Sequence, residues 1–115
     1  MSALTFGKRT RYRFMFGGTL EQWKPFGCEA VYAVTYKADA VSRPKNHTVV
    51  FFGETPDLAL QADSIRRELQ KWWNENGGTN GDLFFYIHEM PGSSQFERVS
   101  VQKQLVSEYD PHGNN

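Results

Sequence analysis

A single cysteine, Cys28, stands in a chain of 115 residues, so no intramolecular disulfide is possible and Cys28 reads as a small apolar residue. Three histidines, His47, His88 and His112, are too scattered for metal-ligand spacing, which excludes a structural zinc site. No run approaches the roughly 18 apolar residues of a membrane span, and Met1 to Lys8 lacks the apolar core of a secretion signal. The expectation is a cytoplasmic protein with no membrane partner. Net charge is also missing: 13 basic residues balance 13 acidic ones, against both a globally basic nucleic-acid wrapper and an acidic tail. The chain carries no Gly-rich phosphate loop, no serine elbow and no Cys and His pair placed for nucleophilic catalysis.

What is present is enough apolar material for one core, 39% hydrophobic and 15% aromatic, at a length that fits one domain. The balanced charge is unevenly spread. Residues 1 to 24 hold Lys8, Arg9, Arg11, Arg13 and Lys24 against Glu21 alone, a charge of +4 that leaves −4 for the rest. Residues 1–27 therefore read as a basic N-terminal strand and extension packed on a domain of residues 28–115. Arg11 to Phe16 alternates basic and apolar positions, as a strand with one cationic face does, and Gly17-Gly18 ends it. Such a strand is either a solvated edge, whose charges block pairing, or a phosphate-contacting element.

Ala30 to Tyr36 and Thr48 to Phe52 are rich in β-branched and aromatic residues and predict two antiparallel strands joined by the polar Lys37 to Asn46. Thr55 is the candidate N-cap of a helix with Pro56 at its first position, closed by Gly77-Gly78. Within it Leu58, Ala62, Ile65, Leu69, Trp72 and Trp73 form an apolar stripe, which makes the tryptophan pair core rather than a base-stacking platform. Asp82 to Met90 is a further strand. Ser93 and Ser94 are placed to cap a last helix ending near Tyr109. The sum is an α+β fold, a small mostly antiparallel sheet flanked by helices.

That last helix holds an anomaly. Its apolar arc of Val99, Val101, Leu105, Val106 and Tyr109 contains Arg98 and Gln102, whereas Glu97, Ser100, Lys103, Gln104, Ser107 and Glu108 fall outside it. Burying a guanidinium and an amide costs kilocalories unless each is hydrogen-bonded, so the pair implies a satisfied core network or a site.

Three motifs in order resemble the GIY-YIG nuclease domain. Ala30-Val31-Tyr32 resembles its first motif, and Phe51-Phe52-Gly53 followed by Glu54-Thr55 resembles its second. Leu105-Val106 through Tyr109, Pro111 and Asn114 resembles its closing segment. The likeness spans about residues 28 to 114 and implies a GIY-YIG-like fold with Gly53 and Asn114 as structural motif residues. It implies catalytic positions at Tyr32, a proposed general base, at Phe51, where the family has tyrosine, and at Gln102, where the family has its metal-binding glutamate. The family arginine falls on Gln61, with Arg66 and Arg67 the nearest substitutes, on other helical faces. A neutral amide at Gln102 does little to hold a hard cation. Neighbouring Glu97 and Glu108 point about 140° and 120° away.

The resemblance therefore implies a catalytically degenerate domain, and the +4 segment beside it leads to the expectation of a non-catalytic nucleic-acid-binding module for DNA or RNA. Lys8, Arg9, Arg11, Arg13 and Arg98 are its expected phosphate contacts. No cofactor is required by that reading. The alternatives are a metal-dependent endonuclease with an atypical site, using magnesium or manganese, and a protein-interaction module.

Overall fold

A computed structural model describes residues 3–36, 48–76 and 83–114. Within them lie five strands, two helices and a closing 3-10 turn: β1 (Ala3–Phe6), β2 (Tyr12–Thr19), β3 (Ala30–Tyr36), β4 (Thr48–Thr55), α1 (Leu58–Glu75), β5 (Leu83–Glu89), α2 (Gln95–Tyr109) and the turn His112–Asn114. The strands form one sheet in the order β1-β2-β5-β3-β4, every neighbouring pair antiparallel.

Alternation along the strands assigns the two faces. Ala30, Tyr32 and Val34 of β3, with Leu83, Phe85 and Ile87 of β5, pack against Leu58, Ala62, Ile65, Leu69 and Trp73 of α1. Val31 and Ala33, with Phe14, Phe52 and Tyr86, face Val101 and Leu105 of α2. β3 is thus covered on both sides, so every residue from Ala30 to Thr35 is buried. The expected stripe on α1 is buried at Leu58, Ala62, Ile65, Leu69 and Trp73, while Trp72 is half-buried at its margin.

The N-terminal segment belongs to the same sheet. β2 lies between β1 and β5, so it is an internal strand and not the solvated edge considered from its charges. Leu20 and Trp23 continue into the α1-side core. β2 also does not stop at Gly17-Gly18. It passes through a bulge there and ends at Thr19, because Gly17 lets the chain approach Ile87 and Phe85 and Gly18 takes φ +127°.

The start of α1 differs from expectation as well. Asp57, not Thr55, is the N-cap, accepting a hydrogen bond from the Leu60 amide at 3.1 Å. Pro56 holds the residue before it in an extended conformation, so β4 runs through Thr55 and the helix begins beyond the proline. α2 starts where the serines place it. Ser94 and Glu97 form a reciprocal capping box at 2.9 and 3.1 Å, and Asp110, at φ +47°, ends the helix before Pro111. The connection Lys37 to Asn46 and the glycine pair Gly77-Gly78 lie outside the described residues.

Candidate functional site

The β3-β4 register sets Tyr32 opposite Gly53. Tyr32 lies over Phe85 with ring centroids 5.0 Å apart, and Phe51 stands 6.0 Å from it. Tyr32 and Phe51 border a cleft of about 120 Å³ whose remaining wall is Ile65, Glu68, Leu69, Trp72 and Gly113. Burial, then the carboxylates of Glu68 and Glu54, push the Tyr32 hydroxyl well above its ordinary value of 10.0. A phenol held neutral in this way is a poor general base near neutral pH.

Gln102 and Arg98 do not join that cleft. They lie on α2, across the sheet. Gln102 donates from Nε2 to the Phe52 carbonyl at 2.9 Å. Asn114 grips the same residue from the closing turn: its Nδ2 donates to the Phe52 carbonyl at 2.9 Å, and its Oδ1 accepts from the Phe52 amide at 2.8 Å. β4 is an outer strand, so these two amides satisfy backbone groups that no neighbouring strand reaches. A carboxylate at 102 cannot donate. Gln102→Glu is expected to cost about 1–3 kcal/mol of stability at neutral pH. The introduced carboxyl would titrate above its unfolded value beside the carbonyl, so the deficit should shrink as pH falls through that raised pKa. Urea denaturation at pH 7 and pH 4 measures both, and an unchanged midpoint would remove the structural role.

Arg98 is buried, with Nε and Nη1 of its guanidinium engaged. Its Nε meets Glu54 Oε2 at 3.0 Å, and Nη1 donates to the Ser93 carbonyl at 2.7 Å and to Ser93 Oγ at 3.1 Å. Arg66 serves the loop after β2: Nε donates to the Leu20 carbonyl at 3.0 Å, Nη2 to the Trp23 carbonyl at 2.7 Å, and the guanidinium lies 4.9 Å from the Trp23 ring centre. Gln61, where the resemblance would set an arginine, accepts from the Thr55 hydroxyl. The four positions to which the resemblance points, Tyr32, Phe51, Gln61 and Gln102, are therefore split between two faces of the sheet.

The residues around Gln102 do not fit a divalent cation. The amide offers one neutral oxygen, its nitrogen is turned to Phe52, and the nearby carboxylate of Glu54 is paired with Arg98. Among the described residues no three His, Cys, Asp or Glu side chains converge. Cys28 is half-buried, and burial followed by the Glu89 charge raises its thiol above 9.0, so it has little thiolate character.

The basic residues divide as well. Lys8 and Arg9 lie in the turn between β1 and β2, where their amides donate to the Glu108 carboxylate at 2.8 and 3.1 Å. Those contacts, the Lys8 amide first, hold the Glu108 carboxyl below its ordinary value. Gly7 donates to the Tyr109 hydroxyl at 2.8 Å. The turn is thereby fixed against α2, and Arg9 faces an open polar groove with Ser100, Lys103, Gln104, Ser107 and Glu108. Arg13 alternates with buried Phe14 on β2 and so stands on the opposite face of the sheet, away from this groove.

Two features escaped the sequence. Gln104 is buried, although the helical wheel set it outside the apolar arc: the turn covers it, with Nε2 donating to the Thr10 carbonyl at 3.0 Å. Lys103 was not among the expected contacts. A signal existed in Ser100, Lys103 and Ser107, which share one outward helical face at spacings of three and four.

The fold and these two concavities define a small α+β domain with a helix on each face of an antiparallel sheet. Compared with protein-family models, curated proteins and solved structures, the chain matches none. Among the described residues no helix is long and apolar enough to cross a membrane.

Proposed function

We propose that this chain is a GIY-YIG-like domain acting as a non-catalytic nucleic-acid-binding module, and that it binds through the groove between the β1-β2 turn and α2. The observation that carries the binding surface is the convergence of Arg9 and Lys103 with the hydroxyls of Ser100 and Ser107 on one open concavity of about 400 Å³. Cations and hydroxyls are the groups that contact phosphate oxygens in nucleic-acid complexes. Glu108 within the groove already accepts two backbone amides, which reduces its repulsion of an incoming phosphate.

The GIY-YIG part of the reading is supported by the antiparallel pairing of the strands bearing Tyr32 and Gly53, and by Asn114 closing onto the second of them. The non-catalytic part is supported by the separation of Tyr32 from Gln102 and by the engagement of Arg98 and Arg66 in structural bonds. Lys8, Arg9 and Arg11, in the connection between β1 and β2, remain in the proposed contact set, and Lys103 joins it. Arg13 and Arg98 do not share this surface.

An electrophoretic mobility shift series tests the proposal. If about four phosphates are neutralised, log affinity falls against log salt with a slope of about −3.6 on duplex DNA. Arg9→Ala with Lys103→Ala should reduce the slope by about 1.8. No binding in low salt, or a slope that ignores both substitutions, would sink the reading. Cleavage of branched or single-stranded DNA by the unaltered chain with magnesium or manganese would replace it with the endonuclease.

A further inference from the structure

The cleft on the α1 side has a different chemistry from the basic groove. Three of its seven lining residues, Tyr32, Phe51 and Trp72, are aromatic, and its single charged wall residue is Glu68. Phe85 beneath Tyr32, at 5.0 Å, and Trp73 beside Trp72, at 5.8 Å, hold two of those rings in place. Its volume of about 120 Å³ corresponds to roughly four water molecules. That is room for a compact headgroup and well below the roughly 300 Å³ at which pockets for drug-sized ligands begin.

From these residues we infer that the cleft between Tyr32, Phe51 and Trp72 binds a fully alkylated ammonium group, with Glu68 supplying the counter-charge. Aromatic faces attract cations through their quadrupoles, and the carboxylate at the rim adds to that field. The same carboxylate repels phosphate and carboxylate ligands. A primary ammonium is strongly hydrated and brings three N–H donors, which an aromatic wall leaves largely unsatisfied. A trimethylated nitrogen has no N–H and presents only methyl groups to the rings. Size, aromatic lining and charge thus select the same ligand class. The inference does not rest on nucleic-acid binding, because the cleft and the groove lie on opposite faces of the sheet.

The experiment titrates the full chain with choline and, separately, with 3,3-dimethyl-1-butanol, its uncharged isostere, while following the indole N–H resonances of the tryptophans. Choline is expected to shift the Trp72 indole saturably, with the isostere at least about tenfold weaker, since cation attraction at an aromatic site is worth about that factor. Glu68→Gln, a substitution at an exposed helix position, should weaken choline about fivefold without altering the melting temperature. Trp72→Leu removes that reporter, so the neighbouring Trp73 indole, 5.8 Å away, is followed instead in both proteins: its saturable shift should be lost in the variant, whose fold is checked by the Tyr32 and Phe85 resonances. Equal affinity for choline and the isostere, no saturable shift, or shifts that persist in both variants would overturn the inference.

Discussion

Glu54→Ala is expected to remove about 3–5 kcal/mol of folding stability. The side chains of Arg98 and Glu54 are only 5% and 15% exposed. Removing the carboxylate leaves a guanidinium on the α2 side of the sheet with Ser93 as its remaining partner, and an uncompensated buried charge is far costlier than a missing contact. A small domain has about 5–15 kcal/mol in total, so the variant would sit near its unfolding threshold at room temperature. The paired replacement Arg98→Met with Glu54→Leu leaves no charge behind and should be nearly neutral. Denaturant melts of both proteins decide the matter. A loss below 1 kcal/mol for Glu54→Ala would mean that Arg98 is not held as described. The paired variant also separates structure from binding: with the fold kept and Arg98 gone, nucleic-acid affinity should not change.

Gly53→Ala should be nearly as damaging, and for a reason of space. A Cβ at this position would lie 2.6 Å from Tyr32 Cε2 and closer still to Cζ and the hydroxyl. Tyr32 cannot withdraw past Phe85, on which one face of its ring is stacked. Overpacking of this kind costs about 1–3 kcal/mol, and the strand pairing limits backbone relief. The cause is testable by rescue. Tyr32→Phe in the alanine background keeps Cε2 and Cζ and should recover little. Tyr32→Leu removes the clashing atoms and should recover a substantial part, with a coupling of about 0.5–3 kcal/mol between the two sites. If Tyr32→Phe rescues as well as Tyr32→Leu, the hydroxyl alone is the obstacle and the clash with the ring carbons is refuted. The family-like glycine thus follows from the bulk of the tyrosine across the ladder.

Features governed by short-range chemistry were legible in the sequence. β3 announces itself in Ala30 to Tyr36 because both its faces are covered. The Ser94 cap sits three residues before Glu97, and the buried residues of α1 recur at helical spacing. Features decided by distant packing were not. β1 is four residues long, too short for its alternation to stand out, and exists because β2 offers it a partner. The bulge at Gly17 reads as a strand end until Phe85 and Ile87 are placed beside it. Gln104 reads as a surface residue until the Thr10 turn folds over it. The site divides along the same line. The nearness of Tyr32 and Phe51 follows from a hairpin that the sequence reveals. The separation of Gln102 from Tyr32 depends on which face α2 covers, and no spacing encodes that. The inward polar pair on α2 was a real anomaly, and its physical resolution is a satisfied network: Arg98 on Glu54, Gln102 on Phe52.

The two amides on Phe52 also bear on how copies of this chain can associate. A sheet that polymerises by strand addition needs an acceptor at both margins, one for the preceding copy and one for the next. Here the β4 margin is interrupted at mid-strand by Asn114 and Gln102, whose side chains occupy the donor and acceptor that a new strand would use. The opposite margin, β1, is four residues long. Strand addition at β4 is therefore disfavoured, and a contact of β1 against β1 closes on itself as a two-fold pair with no means of propagating into a filament.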